Sequence, residues 1–226
     1  MMTAAGGRMN RDEVWQAIDD ERLSLARFLD GLSAGDWETA SLCPGWRVRD
    51  VAAHLTLAQM GMLPATLATL RARGDLNRMI RDTAVRQARL PVENYAALLR
   101  GMAGSRKTAP GVTHLEPLID VLVHGQDMAT ALGRTRPMPP RAAAAAASRV
   151  WSMGWPFHAQ RKLGGLRLIA TDHPWSAGNG QPVEGPIAAL LLMLTGRPAA
   201  LPQLSGPGAA GLPARLSPSP DRKSVV

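Results

Sequence analysis

Four side chains able to bind a cation or move a proton recur at helical spacing in the stretch Glu116–Leu132, EPLIDVLVHGQDMATAL. Glu116, Asp120, His124 and Asp127 follow one another at offsets of 4, 4 and 3. At 100° per residue they occupy roughly 80° of one helix face. Leu118, Val121, Leu122, Met128, Ala129 and Leu132 cover the other side. A helix that is apolar over most of its circumference is normally buried. Carboxylates and an imidazole buried with it are costly unless they are paired or hold a metal. Asp120 and His124, one turn apart, can grip the same ion, and a polar stripe can equally face water or form a plain Asp–His pair. Both readings follow from this stretch alone.

A metal on Asp120 and His124 needs at least one more protein ligand, because catalytic zinc usually takes three and keeps an exchangeable position. His114, His158 and His173 lie before the helix or beside irregular segments. His54 lies at the edge of an apolar face made by Val51, Leu55 and Ala58. That position suits a packed core histidine, and in a bundle it is also the one able to face the later helix. Cys43 precedes a helix N-terminus, where the dipole can acidify a thiol. His54 follows eleven residues later, roughly 12–16 Å along a helix axis. Cys43 is therefore expected to pack as a small loop residue, out of the ion's reach. Asp127, one turn beyond His124, is the candidate catalytic carboxylate, accepting a hydrogen bond from the imidazole or from a ligand.

The elements that must place these groups read as helices. Asn10 or Asp12 can cap a first one, with Val14, Ile18, Leu25, Phe28, Leu29 and Leu32 on helical spacing until Gly31 and Gly35. Residues 36–45 read as an irregular connection. A second helix begins at Trp46, runs through Met62, and is kinked or ended at Pro64 before resuming through Leu67 and Leu70. Residues 75–90 are polar and partly helical. Pro91 opens a third helix carrying Tyr95, Leu98, Leu99 and Met102. The opening stretch is the fourth, closed by Gly133. An Ala-rich helix is expected over 141–158. Leu166–Ala170 reads as a strand, Gly178–Gly180 as a turn, and Pro186–Leu194 as a short apolar helix.

The expected organisation is a helical bundle over 10–160, a small α+β segment over 161–212, and disordered ends at 1–9 and 213–226. The fold class is mainly α, a four-helix bundle with a small C-terminal appendage. At 226 residues and 46% hydrophobic composition the core can be substantial. No apolar run is long enough to span a bilayer, and no signal-peptide pattern opens the chain, so a cytoplasmic protein without membrane contact is expected. The lone Cys43 excludes an internal disulfide and any multi-cysteine zinc site. The net charge of +8 raises nucleic acid as a partner. The basic run Arg71–Arg89 holds no aromatic residue for base stacking, so a solvated basic surface is the better reading.

Two runs are more specific. LCPGWRVRDVAAHL at 42–55 and DVLVHGQDMATALG at 120–133 resemble the paired signatures of the mycothiol-dependent maleylpyruvate isomerase family, within the DinB-like superfamily. The segments GLRLIATDHPWSAGNG and EGPIAALLLMLTGR, within 165–197, are similar to the C-terminal part of its shorter members. The resemblance implies a DinB-like four-helix bundle holding a divalent metal, usually zinc. It implies His54 and His124 as ligands, and Asp120 where the family's isomerase has Glu. Asp is one methylene shorter, which brings the ion closer to this helix or places a water between. It further implies mycothiol as thiol cosubstrate and a small electrophile as substrate, in an isomerase or transferase reaction. A non-catalytic metal-binding or ligand-sensing bundle is the alternative. The substrate, the native metal and the oligomeric state are not written in the sequence.

Overall fold

The computed structural model describes residues 8–59, 61, 68, 71–72, 74–108 and 111–216. The second helix, expected to run through Met62, ends at Leu55 with residues 56–59 in turns, while Met62, Leu67 and Leu70 lie outside the described residues, as do 1–7 and 217–226. The chain forms two compact units, one spanning Arg11–Arg136 and one from Pro137 onward. Among the described residues, no helix is long and apolar enough to cross a membrane.

The first unit contains α1 (Arg11–Asp30), α2 (Ala34–Glu38), α3 (Val48–Leu55), α4 (Leu76–Gln87), α5 (Glu93–Gly101) and α6 (Leu115–Ala131). Helix α1 has Asp12 and Glu13 in its first turn and Arg27 in its last, matching the helix dipole. Its stripe of Val14, Trp15, Ile18, Leu25, Ala26 and Leu29 is buried. Helices α1, α5, α3 and α6 close a four-membered ring, since α1 packs on α5 and α6, and α3 packs on the same two. Helix α4 packs on α3. Ser33 and Asp36 form a capping box that starts α2, which runs on into the first residues of the stretch expected to be irregular.

The core joins Leu25, Leu29, Trp37, Trp46, Val51, Tyr95, Leu99 and Met128 in one cluster. Each such buried aliphatic side chain contributes about 1.5–3 kcal/mol of transfer free energy. Helix α6 is buried nearly all round, from Leu118 to Ala129. Gly125 has a packing reason inside it. A Cβ there would sit 3.2 Å from Arg136 Nη1. Arg136 in turn pairs with buried Glu21 at 2.7 Å, which ties the end of the unit back to α1.

The second unit contains α7 (Pro140–Ser152), α8 (Ala159–Lys162), strands β1 (Leu166–Ala170), β2 (Ser176–Gly178) and β3 (Gln181–Gly185), then α9 (Ile187–Leu194) and α10 (Leu212–Leu216). The sheet order is β2-β1-β3, with β2 antiparallel and β3 parallel to β1. Ala142, Ala143, Ala146 and Ala147 are buried on α7, and their small side chains let α9 lie close against it. This packing explains a departure from the expected boundary near 160. The Ala-rich helix belongs with the sheet, and the compact unit begins at Pro137. Helix α10 likewise extends order into the stretch expected to be a disordered tail, because Leu212 is buried.

Candidate metal centre

Helix α3 carries His54 in its last turn, and α6 carries Asp120, His124 and Asp127 on successive turns. The bundle turns these two helices toward each other. The imidazoles of His54 and His124 meet edge to face, with ring centroids 5.1 Å apart and an interplanar angle of 85°. One ligand atom each from His54, Asp120 and His124 lies within 4.8 Å of the other two. Donors about 2 Å from a tetrahedral ion stand roughly 3–4 Å apart, so small side-chain rotations close this trio around a cation. The donor set, two imidazoles and one carboxylate, is of a kind zinc accepts, and three ligands fall one short of its usual four. Trp46 also meets His54 edge to face, with ring centroids 5.4 Å apart.

Glu116, the fourth member of the stripe, is drawn away. Its carboxylate accepts the backbone N–H of Thr113 at 2.7 Å and serves the start of α6. Asp127 faces inward and is fully buried. Its Oδ2 lies 2.9 Å from His124 Nδ1. That contact is met when Nδ1 carries a ring proton, which leaves Nε2 as the nitrogen a cation would take once it has given up its own proton.

The unforeseen member is Cys43. Its thiol donates to Asp127 Oδ2 at 3.1 Å and lies 3.6 Å from His124 Nδ1. Cys43, His124 and Asp127 form a second buried group with metal-ligand spacing, sharing His124 with the first. Cys43 thus reaches His124 and Asp127, against the expectation that it only packs in its loop, while the group it joins does not include His54. The distance along α3 is irrelevant, because the chain before the helix does not continue its axis. It folds back. Ala40 bridges Arg47, Ser41 N–H donates to Trp46 O at 2.8 Å, and Trp46 N–H donates to Cys43 O at 3.0 Å. Gly45 makes the reversal at φ +76°, with the Arg81 guanidinium of α4 against it. Leu42 N–H then donates to Asp127 O at 3.3 Å and docks the loop on α6. The Pro-Gly pair in CPGW is the signal in the sequence that such a reversal occurs.

Electrostatics separate the two histidines. Burial first, and the charge of His124 second, push His54 down to about 3, so its imidazole stays neutral. Burial also opposes charge on His124. Cys43 and Asp127 outweigh that penalty and raise His124 to about 10. A cation arriving at His124 must therefore displace a well-held proton.

Residues 18–138, which include every residue of this centre, match the family described as mycothiol maleylpyruvate isomerase N-terminal domain. The fold is shared with a solved structure of the mycothiol-dependent maleylpyruvate isomerase, at a TM-score of 0.61 and 14% identity. A histidine-to-alanine mutant of that isomerase aligns at a TM-score of 0.59 and the same identity. Each alignment covers 89% of this chain and 94% of the other. No curated protein matches the chain.

Proposed function

Because the chain belongs to the mycothiol maleylpyruvate isomerase N-terminal domain family, we propose that it is a metal-dependent, thiol-using enzyme acting on a small electrophile. The reaction is an isomerisation or an S-transfer, with mycothiol as the thiol cosubstrate. The observation that carries this reading is the mutual approach of His54, Asp120 and His124 within 4.8 Å. These three residues would hold the ion, zinc by their donor chemistry. When bound, the ion supplies the positive charge that favours the thiolate form of a thiol near neutral pH.

The chain's own residues set the conditions for that chemistry. Neutral His54 offers a lone pair without a proton to lose. Asp127 acts through His124, holding the ring at Nδ1, so that Nε2 would be the nitrogen offered to an ion. It is a positioning residue in this account, because its buried carboxylate is occupied by His124 and Cys43. Trp46 packs its indole against the His54 ring and would help hold that ring in place. Maleylpyruvate is the first substrate to try. Thiol addition to its activated double bond, rotation and elimination would give the isomer and return the thiol.

The test is direct. Zinc-loaded protein is incubated with mycothiol and maleylpyruvate, and the isomer is followed with and without a chelator. The proposal expects turnover that needs both the thiol and the metal. Bound metal with no turnover on maleylpyruvate or a panel of thiol-reactive electrophiles would favour the non-catalytic, ligand-sensing bundle.

A further inference from the structure

We infer that Cys43 is a positioning residue for His124, acting through Asp127. This inference rests on reading His124 as an ion ligand. Two roles are chemically open to a cysteine beside a His–Asp pair. It can attack a solute itself, or it can hold its neighbours in place. Burial decides between them. Cys43 is 2% exposed and Asp127 is 0% exposed, whereas reactive cysteines sit where solutes reach them.

Its contacts fit the second role. The thiol S–H and the His124 Nδ1–H both point at one atom, Asp127 Oδ2, at 3.1 and 2.9 Å. That oxygen is thus held from the loop side and from the helix side. The backbone repeats the arrangement, since Leu42 N–H donates to the carbonyl of the same Asp127 at 3.3 Å. The loop therefore grips Asp127 by both its main chain and its side chain. Removing the thiol donor leaves a buried carboxylate less satisfied, which frees it to rotate away from the imidazole. Partners of this kind orient a ligating histidine and raise its basicity, and their loss typically costs about 10–100-fold in metal affinity.

The experiment uses the full-length chain as parent, Cys43→Ala and Cys43→Ser. Zinc affinity is measured by competition with a chromophoric chelator. Thermal melts establish that the variants fold. In zinc-free samples, NMR follows the imidazole Nδ1–H proton of His124, assigned with His124→Gln. Cys43→Ala should bind zinc about 10-fold more weakly and lose the Nδ1–H signal to solvent exchange. Cys43→Ser keeps a donor and should stay within about threefold of the parent, with the signal retained. Cys43→Ala with the parent's affinity and an unchanged signal would overturn the inference. So would a Cys43→Ser variant as weak as Cys43→Ala, because a filler role would then explain both. A parent that binds no zinc defeats the ion reading instead, and the NMR comparison alone then decides the Cys43 contact.

Discussion

Two regions deliver groups to His124, and they hold them by different means. Helix α6 delivers Asp120 and Asp127 by its period, one turn to either side of the ring. The loop from Ser41 to Arg47 delivers Cys43 by a chain reversal held by a few hydrogen bonds and one glycine of positive φ. The helix is buried along most of its length, so its side chains keep their places when one of them is changed. The loop has no such redundancy, and its contribution depends on each bond of the reversal. Ion binding should therefore fail at the helix-borne groups when a ligand, or the carboxylate that orients it, is changed, and at the loop when its geometry is disturbed.

The largest effect belongs to the ligands. His54→Ala and His124→Ala should each lower zinc affinity by more than about 100-fold, because a three-ligand centre reduced to two loses most of its binding free energy. Elemental analysis after gel filtration reads this out, and a variant that keeps a full equivalent of metal removes that histidine from the centre. Asp127→Asn comes next. It preserves shape but can turn an amide donor toward Nδ1, and a loss of about 10–100-fold is expected. If Asp127→Asn binds as the parent does, the helix supplies ligands and nothing that orients them.

Gly45→Ala sharpens the contrast from the loop side. Its φ of +76° and a Cβ only 3.3 Å from Arg81 Nη2 make the substitution strained. A cost of about 1–2 kcal/mol in urea unfolding is expected, with a smaller fall in zinc affinity as Cys43 is displaced. An exposed helical glycine such as Gly101 is the control, since a Cβ there meets nothing within 4 Å.

The gentlest perturbation is pH, applied to chelator-treated protein. The folded value of His54, about 3, lies below its ordinary 6.5. The unfolded chain thus binds more protons between the two, and the stability contributed by neutral His54 is lost as pH falls through that window. His124 has the opposite sign. Raised to about 10 from 6.5, it contributes stability that is complete below 6.5 and is lost as pH rises toward 10. Urea midpoints should therefore decline on the alkaline side in the parent, and less so in His124→Gln. Identical alkaline limbs would mean that Cys43 and Asp127 do not hold the His124 proton.

Much of this arrangement was legible from the residues. The α6 stripe follows from its offsets, the apolar run Leu166–Ala170 marks β1 over its observed span, and the place of His54 at the edge of an apolar face makes it the histidine able to face the later helix. These are short-range patterns, where a period fixes which side chains share a face. The reach of Cys43 was not legible, because a loop reversal depends on hydrogen bonds to α6, more than 80 positions away in sequence. The placement of the Ala-rich helix with the sheet was hidden for a similar reason. Alanines permit close packing on many surfaces, and only the partner α9 decides which one. Glu116 matched the stripe equally well, yet the demand for acceptors at the helix start drew it to Thr113.

The central claim is an ion held by His54, Asp120 and His124 with a position open to a thiol. Cobalt substitution tests it most directly, because the visible spectrum of cobalt reports both its ligands and their exchange. The account predicts one cobalt per chain and a new thiolate-to-metal charge-transfer band when mycothiol is added. It also predicts that chelation leaves the helical circular dichroism nearly intact, since the core of α1, α3, α5 and α6 is apolar and complete in itself. Cobalt that binds without any spectral response to thiol, together with unfolding on chelation, would contradict it and mark the ion as a structural clamp.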